Sequence, residues 1–335
     1  MIYNILDLQS YLLEHHFSQI FLLVDENTEK YCMPILLEKI DEITDRQATL
    51  LEIPSGEQNK SINTALNIIN SLEESFADRE SVIISLGGGM VTDLGGFVAS
   101  IYKRGVQAVN VPTTLLAMVD AAIGGKNGVN YKGIKNLIGC FNPNVLTFLD
   151  VDFLSTLSKE NILSGLSEML KTFLIADSLS LSKVLNIKDF ASMDSSLIMR
   201  AAQIKEEIAK KDFLDKGYRR VLNFGHTIGH AIEAIQNGKL LHGYAVAIGM
   251  YYALLLSEDI VGLKHNEVKE VYDFLSRNYT IPHLKDKDVD LLWEKIMQDK
   301  KTTNNKPHFV LLQSISTPII KEVSKEDLSN TINKF

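Results

Sequence analysis

Along the first third of the chain, short apolar runs alternate with longer segments whose apolar residues recur at helical spacing. Ile20–Val24 is one such run, ending in Asp25, Glu26 and Asn27, the profile of a buried parallel strand that opens into a ligand-facing loop. Ala48–Ile53 repeats the pattern and leads into a polar stretch where Ser55 or Gly56 can start a helix with Glu57 in its first turn. From Ser61 to Ser75, Ile62, Leu66, Ile69 and Leu72 mark one face of a helix. Ser81–Leu86 reads as a strand running into Gly87, Gly88 and Gly89 and a helix-like segment from Met90 to Tyr102. Ala108–Val111 is a further strand, closed by Pro112, Thr113 and Thr114. This alternation predicts an α/β domain. From Asp150 onward the pattern is mostly helical: Phe153–Ala176, Ile198–Lys211, a helix–turn–helix within Arg219–Met250, and amphipathic helices from Asn266 to Phe335 with one late strand, His308–Leu312.

Composition narrows the class. The chain has 335 residues, 45% apolar and 23% charged, enough for two domains with real cores. A net charge of −8 argues against a general binder of nucleic acid or anionic membrane, while leaving room for a locally basic pocket. Cys32 and Cys140 are the two cysteines, with no CxxC, so neither a disulfide framework nor a zinc–cysteine site is expected. Met1–Ser10 has no basic stretch and its apolar run breaks at Asp7, so no signal peptide is read. The longest apolar run, around Tyr244–Leu256, is too short to span a bilayer and reads as a buried helix. A cytoplasmic enzyme is the expectation.

The candidate chemistry concentrates in four places. His226, His230 and His242 are three of eight histidines, and the first two are four apart, so on a helix both imidazoles leave one face. With Arg219 and Asn223 nearby they suit a metal or proton-transfer site, read from spacing as His226 with His230. Strand, glycines and helix around Gly87–Gly89 form the recipe for holding a phosphate, because glycine lets the backbone approach and the helix N-terminus offers free N–H groups. This is not the GxGxxG fingerprint, and a tight turn alone would leave the same glycines. Between Leu115 and Phe141, Asp120, Lys126, Asn127, Asn130, Lys135 and Asn136 interleave with glycines and apolar residues, a mixture suited to carboxylate, phosphate and hydroxyl groups. Glu168 and Lys171 lie three apart amid small and apolar neighbours, which suggests burial rather than a surface pair. Lys205 reads as solvent-facing, and Asp299, Lys300 and Lys301 as the frayed end of a helix.

Taken jointly, these motifs resemble the 3-dehydroquinate synthases. The resemblance is carried in order by GGGMVTDLGGFVASIYKRGV, VPTTLLAMVDAAIGGKNGVN with KNLIG, GLSEMLK, and RRVLNFGHTIGHAIE with LHG, over roughly Asp25–Leu312. It implies a Rossmann-like NAD-binding domain over 1–150 and a helical, metal- and substrate-binding domain over 151–335. It implies NAD and Zn2+ or Co2+, the metal held by Glu168, His226 and His242, which leaves His230 in a proton-transfer role. The cofactor residues would be Asp25, Asn27, Glu57, Lys60, Gly88, Gly89, Asp93, Thr113, Thr114, Lys126, Lys135, Phe153 and Thr156. Catalytic roles would fall to Asp120, Lys126, Lys171, Lys205, Arg219, Asn223 and His230, and substrate binding to Lys135, Asn136 and a lysine of the Lys300–Lys301 pair, taken as Lys301. Arg104 matches an arginine that in the family reaches the phosphate in a neighbouring subunit, so a homodimer is implied.

The implied reaction converts 3-deoxy-D-arabino-heptulosonate 7-phosphate to 3-dehydroquinate and phosphate, a step towards aromatic amino acids. A ring hydroxyl is oxidised, phosphate is eliminated, the ketone is re-reduced, and the ring opens and recloses by an intramolecular aldol step. Departures from the family pattern are Thr92 for a glycine, Asn127 for a threonine, Ile134 after Gly133 where the glycine directly precedes the lysine, Ser167 for an alanine, and Thr172 after Lys171. Competing readings are another sugar-phosphate cyclase, a metal-dependent polyol dehydrogenase, or a non-catalytic NAD-binding scaffold. A dehydrogenase would not need Lys126, Lys135, Asn136 and Arg219 together, and a scaffold would not need Glu168, Lys171, His226 and His242.

Overall fold

In a computed structural model of the chain, which describes residues 1–187, 190, 193–237, 239–299 and 307–334, the apolar runs become the strands of one sheet. Its strands are β1 (Ile2–Asn4), β2 (Ile20–Asp25), β3 (Thr49–Ile53), β4 (Val82–Gly87), β5 (Gln107–Pro112) and, after a hairpin, β8 (Leu146–Leu149). Their order is β1-β8-β5-β4-β2-β3, and every pairing is parallel. Parallel strands are covered on their faces, which is why β2 and β4 read as continuous apolar runs rather than alternating ones. Phe21, Leu23, Leu51, Ile53, Ile83 and Ala108 point to one side, where Ala65, Ile68 and Leu72 of the helix Ile62–Glu74 and Leu94, Phe97 and Val98 of the helix Gly89–Ile101 meet them.

The stretch predicted as a polar pocket segment is a hairpin, β6 (Lys126–Tyr131) against β7 (Ile134–Phe141). Its two turn residues, Lys132 and Gly133, have φ of 49° and 78°, so both adopt the left-handed region that a tight hairpin turn with the strands' own twist requires. The displaced glycine of this loop therefore sits at the turn.

The chain forms two compact units. The first contains Met1–Ile162 and Ile198–Leu214; the second contains Leu163–Leu197 and Asp215–Phe335. These limits differ from a single cut at residue 150. Val151–Thr156 is a 3-10 turn, rather than the start of a helix, and it stays with the first unit through Lys39, which pairs with Asp150 and Asp152 at 2.6 and 2.5 Å. Residues 198–214 stay with it through Lys205 on Asp120, Glu206 on the N-terminal amine, and Phe213 against Phe141.

Among the described residues the second unit is helical apart from an antiparallel hairpin, β9 (His308–Ser314) with β10 (Thr317–Glu322). Its central helix, His242–Val261, is long and apolar enough to cross a membrane by length and composition alone, with mean hydropathy 1.3. Two-thirds of that window (67%) is buried, as in the core helix of a folded unit. It ends at Gly262 in the left-handed conformation common at helix ends. Lys300 and Lys301 lie outside the described residues.

Candidate active site

In the first unit the chain leaves β2 toward β3, then returns to place β4 on the other side of β2. The sheet order thus reverses at the β2–β4 pair, where open parallel sheets bind ligands at the carboxyl ends of their strands. The carboxyl end of β2 is Asp25 and that of β4 runs into Gly88 and Gly89, the start of the helix Gly89–Ile101. A Cβ on Gly88 would come 3.2 Å from Thr114 Cγ2 and one on Gly89 3.0 Å from Ala121 Cβ, so side chains here would crowd the loop. Thr92, the replacement for a glycine, is buried and donates its hydroxyl to the Gly88 and Gly89 carbonyls, both at 3.2 Å. Thr113, at the end of β5, donates its N–H to the Gly87 carbonyl.

In the same unit several of the predicted cofactor and substrate residues meet one another. Lys60 is buried, ion-pairs with Asp93 and donates to Asn136 Oδ1 at 2.6 Å. Burial pushes the Asp93 carboxyl up to about 6 against the pull of Lys60. Asp120 lies in a π-helical turn, Ala117–Ala121, and receives Lys205 Nζ at 2.6 Å on its carboxylate and 2.7 Å on its carbonyl. Lys205 is only 7% exposed, which corrects the solvent-facing expectation: the helix pattern shows polarity but not which charged residue meets an acid. Phe153 is buried under Thr156, whose hydroxyl donates to its carbonyl at 2.7 Å and faces the buried Cys32 thiol at 3.7 Å. Asp25 caps the following helix by accepting from the Asn27 and Thr28 N–H groups. Glu57, Asn27, Lys126 and Lys135 are exposed, and Arg104 stands exposed at φ 70° in a 3-10 turn.

In the second unit Glu168 and Lys171 are 0% and 1% exposed and ion-paired on the helix Lys159–Ala176. Glu168 Oε1 lies 3.4 Å from His226 Nε2 and 3.3 Å from His242 Nε2. His226 begins the helix His226–Ile235 directly after Gly225, where a φ of 78° favours glycine and a Cβ would stand 2.8 Å from the Met250 amide nitrogen. His242 begins the next helix, and Gly243 lets it approach so closely that a Cβ there would stand 1.9 Å from the Ser164 carbonyl oxygen, one turn before Glu168. That contact brings His242 to the carboxylate.

Burial would raise the Glu168 carboxyl, but Lys171 first and then His226 hold it well below the usual range. Burial pushes His226 down to about 4 despite Glu168. Burial also opposes the charge on His242, yet Glu168 and Glu233 together raise it to about 9. His230 lies beside both, its ring 5.2 Å from His226 and 5.8 Å from His242. Arg219 is buried and Asn223 exposed in the preceding 3-10 turn. Glu233 escaped the sequence reading although it continues the His226, His230 face; its Oε2 lies 3.2 Å from His242 Nδ1.

The donor set suits a metal. The two Nε2-to-Oε1 separations match the edge of a tetrahedron with ligands at about 2.0–2.1 Å, roughly 3.4 Å. Glu168 is fully buried, yet neither of its oxygens completes a directed hydrogen bond, as expected of a carboxylate shaped for a cation. His226, His230 and His242 also form a candidate trio with ligand atoms within 4.8 Å of one another. Glu168 with His226 and His242 is a second set that could hold a divalent ion, with a buried carboxylate to offset its charge.

Residues 50–164 match the family model of the 3-dehydroquinate synthase N-terminal region, and 165–302 that of its C-terminal region. The 3-dehydroquinate synthase of Parabacteroides distasonis is 37% identical over 337 residues, covering 98% of this chain and 94% of its own. Among solved structures, a 2-epi-5-epi-valiolone synthase from Streptomyces hygroscopicus with NAD+ and Zn2+ bound superposes with TM-score 0.83 at 25% identity, covering 100% of this chain and 95% of its own. A 2-deoxy-scyllo-inosose synthase complexed with carbaglucose-6-phosphate, NAD+ and Co2+ superposes at 0.84 and 23% identity, covering 99% and 95%, and shares the fold.

Proposed function

The chain belongs to the 3-dehydroquinate synthase family, and from that premise we propose how its residues divide the conversion of 3-deoxy-D-arabino-heptulosonate 7-phosphate to 3-dehydroquinate and phosphate. The single observation that carries the reading is the wholly buried Glu168 with Lys171 on one side and the Nε2 atoms of His226 and His242 on the other.

NAD, when bound, supplies a hydride acceptor that is restored within each turnover. Zinc or cobalt, when bound, supplies a Lewis acid that lowers the pKa of neighbouring hydroxyls. The chain's own part is preorganisation. Lys171 neutralises one oxygen of Glu168 and leaves the other to face the imidazoles. The Phe224 carbonyl, 3.2 Å from His226 Nδ1, and Glu233, at His242 Nδ1, each accept a hydrogen bond from that Nδ1–H and so turn the other ring nitrogen toward Glu168. Asp120 anchors the buried Lys205, and Lys60 joins Asp93 to Asn136. The β2–β4 switch point and the Gly88–Gly89 turn support NAD binding in the first unit, with Asp25, Asn27, Glu57, Lys60, Asp93, Thr113, Thr114, Phe153 and Thr156 around it.

Lys126, Lys135, Asn136, Arg219 and Asn223 are assigned to the anionic and hydroxyl groups of the substrate, and His230 to proton transfer. Arg104 is exposed, which suits a reach into a neighbouring copy, and the reading makes the protein a homodimer. Cys32 and Cys140 are free thiols, in keeping with the cytoplasm. The test is phosphate release from the heptulosonate phosphate, with and without NAD+ and after chelation. Multiple turnovers without net NADH, lost on chelation and restored by zinc or cobalt, are expected; steady NADH from simple polyols without phosphate release would move the chain to the dehydrogenases.

A further inference from the structure

Asn130 lies where the β6–β7 register slips. Val129 pairs with Ile138 and Tyr131 with Ile134, so Asn130 alone faces the bulge made of Lys135, Asn136 and Leu137. The main-chain N–H and both side-chain polar atoms of Asn130 are engaged with residues that the proposed function uses. Its main-chain N–H donates to the Lys60 carbonyl at 2.8 Å, beside a bridge between Ser61 and Asn130. Its side-chain Oδ1 accepts the Asn136 N–H at 2.9 Å. Its Nδ2 donates to Glu57 Oε1 at 2.8 Å and approaches the Glu57 carbonyl at 3.4 Å.

Asn136 is at φ 51°, in the left-handed region that asparagine tolerates better than most residues, and from it Oδ1 accepts from Lys60 Nζ at 2.6 Å. The circuit is thus Glu57, Asn130, Asn136, Lys60 and Asp93.

We propose that Asn130 is a positioning residue that ties the cofactor-side Glu57 and Lys60 to the substrate-side Lys135–Asn136 bulge through the two ends of one amide. The assignment rests on the proposed function for what Glu57, Lys60 and Asn136 bind. It requires a side chain that donates on one side and accepts on the other at this length. Aspartate keeps the acceptor for Asn136 but sets a second carboxylate against Glu57; alanine loses both.

The test compares Asn130→Ala and Asn130→Asp with the full-length enzyme, reading hydrogen exchange across residues 134–138, the NAD dissociation constant, and KM and kcat at saturating NAD. In Asn130→Ala, exchange at Asn136 quickens at least tenfold, NAD binding weakens about tenfold, and KM rises about tenfold with kcat little changed, the effect of losing one hydrogen bond at each end of the amide. In Asn130→Asp, NAD binding weakens similarly while exchange at Asn136 and KM stay near those of the parent. A fall in Tm of Asn130→Ala with NAD affinity and KM unchanged overturns the proposal, as does Asn130→Asp behaving like alanine in exchange and KM. If the parent releases no phosphate, the proposed function fails, while the exchange and NAD measurements still judge Asn130.

Discussion

Glu168 and Lys171 form an ion pair one helical turn apart with neither side chain exposed to solvent. A buried carboxylate is costly unless it stays paired. Lys171→Met should therefore destabilise the chelated protein by about 3–5 kcal/mol, the usual result of leaving one partner of a buried pair alone. Zinc should recover part of that loss. Urea unfolding with chelator and with zinc reads both effects, and equal losses under the two conditions would contradict a cation beside Glu168.

His242→Ala removes one imidazole from Glu168 and the partner of Glu233. Metal content after dialysis should fall to background and turnover should vanish. NAD affinity should persist, because the residues assigned to NAD belong to the first unit. Metal analysis and NAD titration check this separately. Stoichiometric metal with near-normal turnover would remove His242 from the ligand set.

The Gly243 position tests how His242 reaches the carboxylate. An added methyl would stand 1.9 Å from the Ser164 carbonyl, a backbone atom that cannot swing aside. Gly243→Ala should cost about 1–3 kcal/mol as overpacking and weaken metal binding by about 10–100-fold as the imidazole moves off its position. Unchanged zinc affinity in a competition titration would mean that the two helices are free to separate without disturbing the site.

Asp93 predicts a pH dependence of opposite sign to that of most paired carboxylates. Burial raises it to about 6, above the value of about 3.9 in an unfolded chain. Between these values the folded state keeps a proton that the unfolded state has lost, so stability falls as pH rises through the window and levels off above it. Relative to Asp93→Asn, the parent should lose up to about 3 kcal/mol between roughly pH 4 and pH 6. Urea unfolding of both proteins at several pH values measures the difference; a flat or rising difference would refute it.

Much of this protein was determined locally. Apolar runs of strand length and helical spacing are properties of neighbouring residues, so Ile20–Asp25, Ile62–Glu74, Val82–Gly87 and the helix pair at His226 and His242 were legible in the chain. The joint motifs also carried the family. Other features depended on residues far apart in sequence. Spacing paired His226 with His230, because only those two share a helix; folding brought Glu168 and His242 to His226 through the close approach at Gly243. Lys205 read as a surface lysine until Asp120, 85 positions away, met it. Residues 124–136 read as a pocket segment because glycines, lysines and asparagines outnumber Val129, Tyr131 and Ile134 there, which hides the apolar alternation that marks a half-buried strand. Periodicity records which face is buried. Only tertiary packing decides which charge a buried face encounters, since that partner comes from another part of the chain.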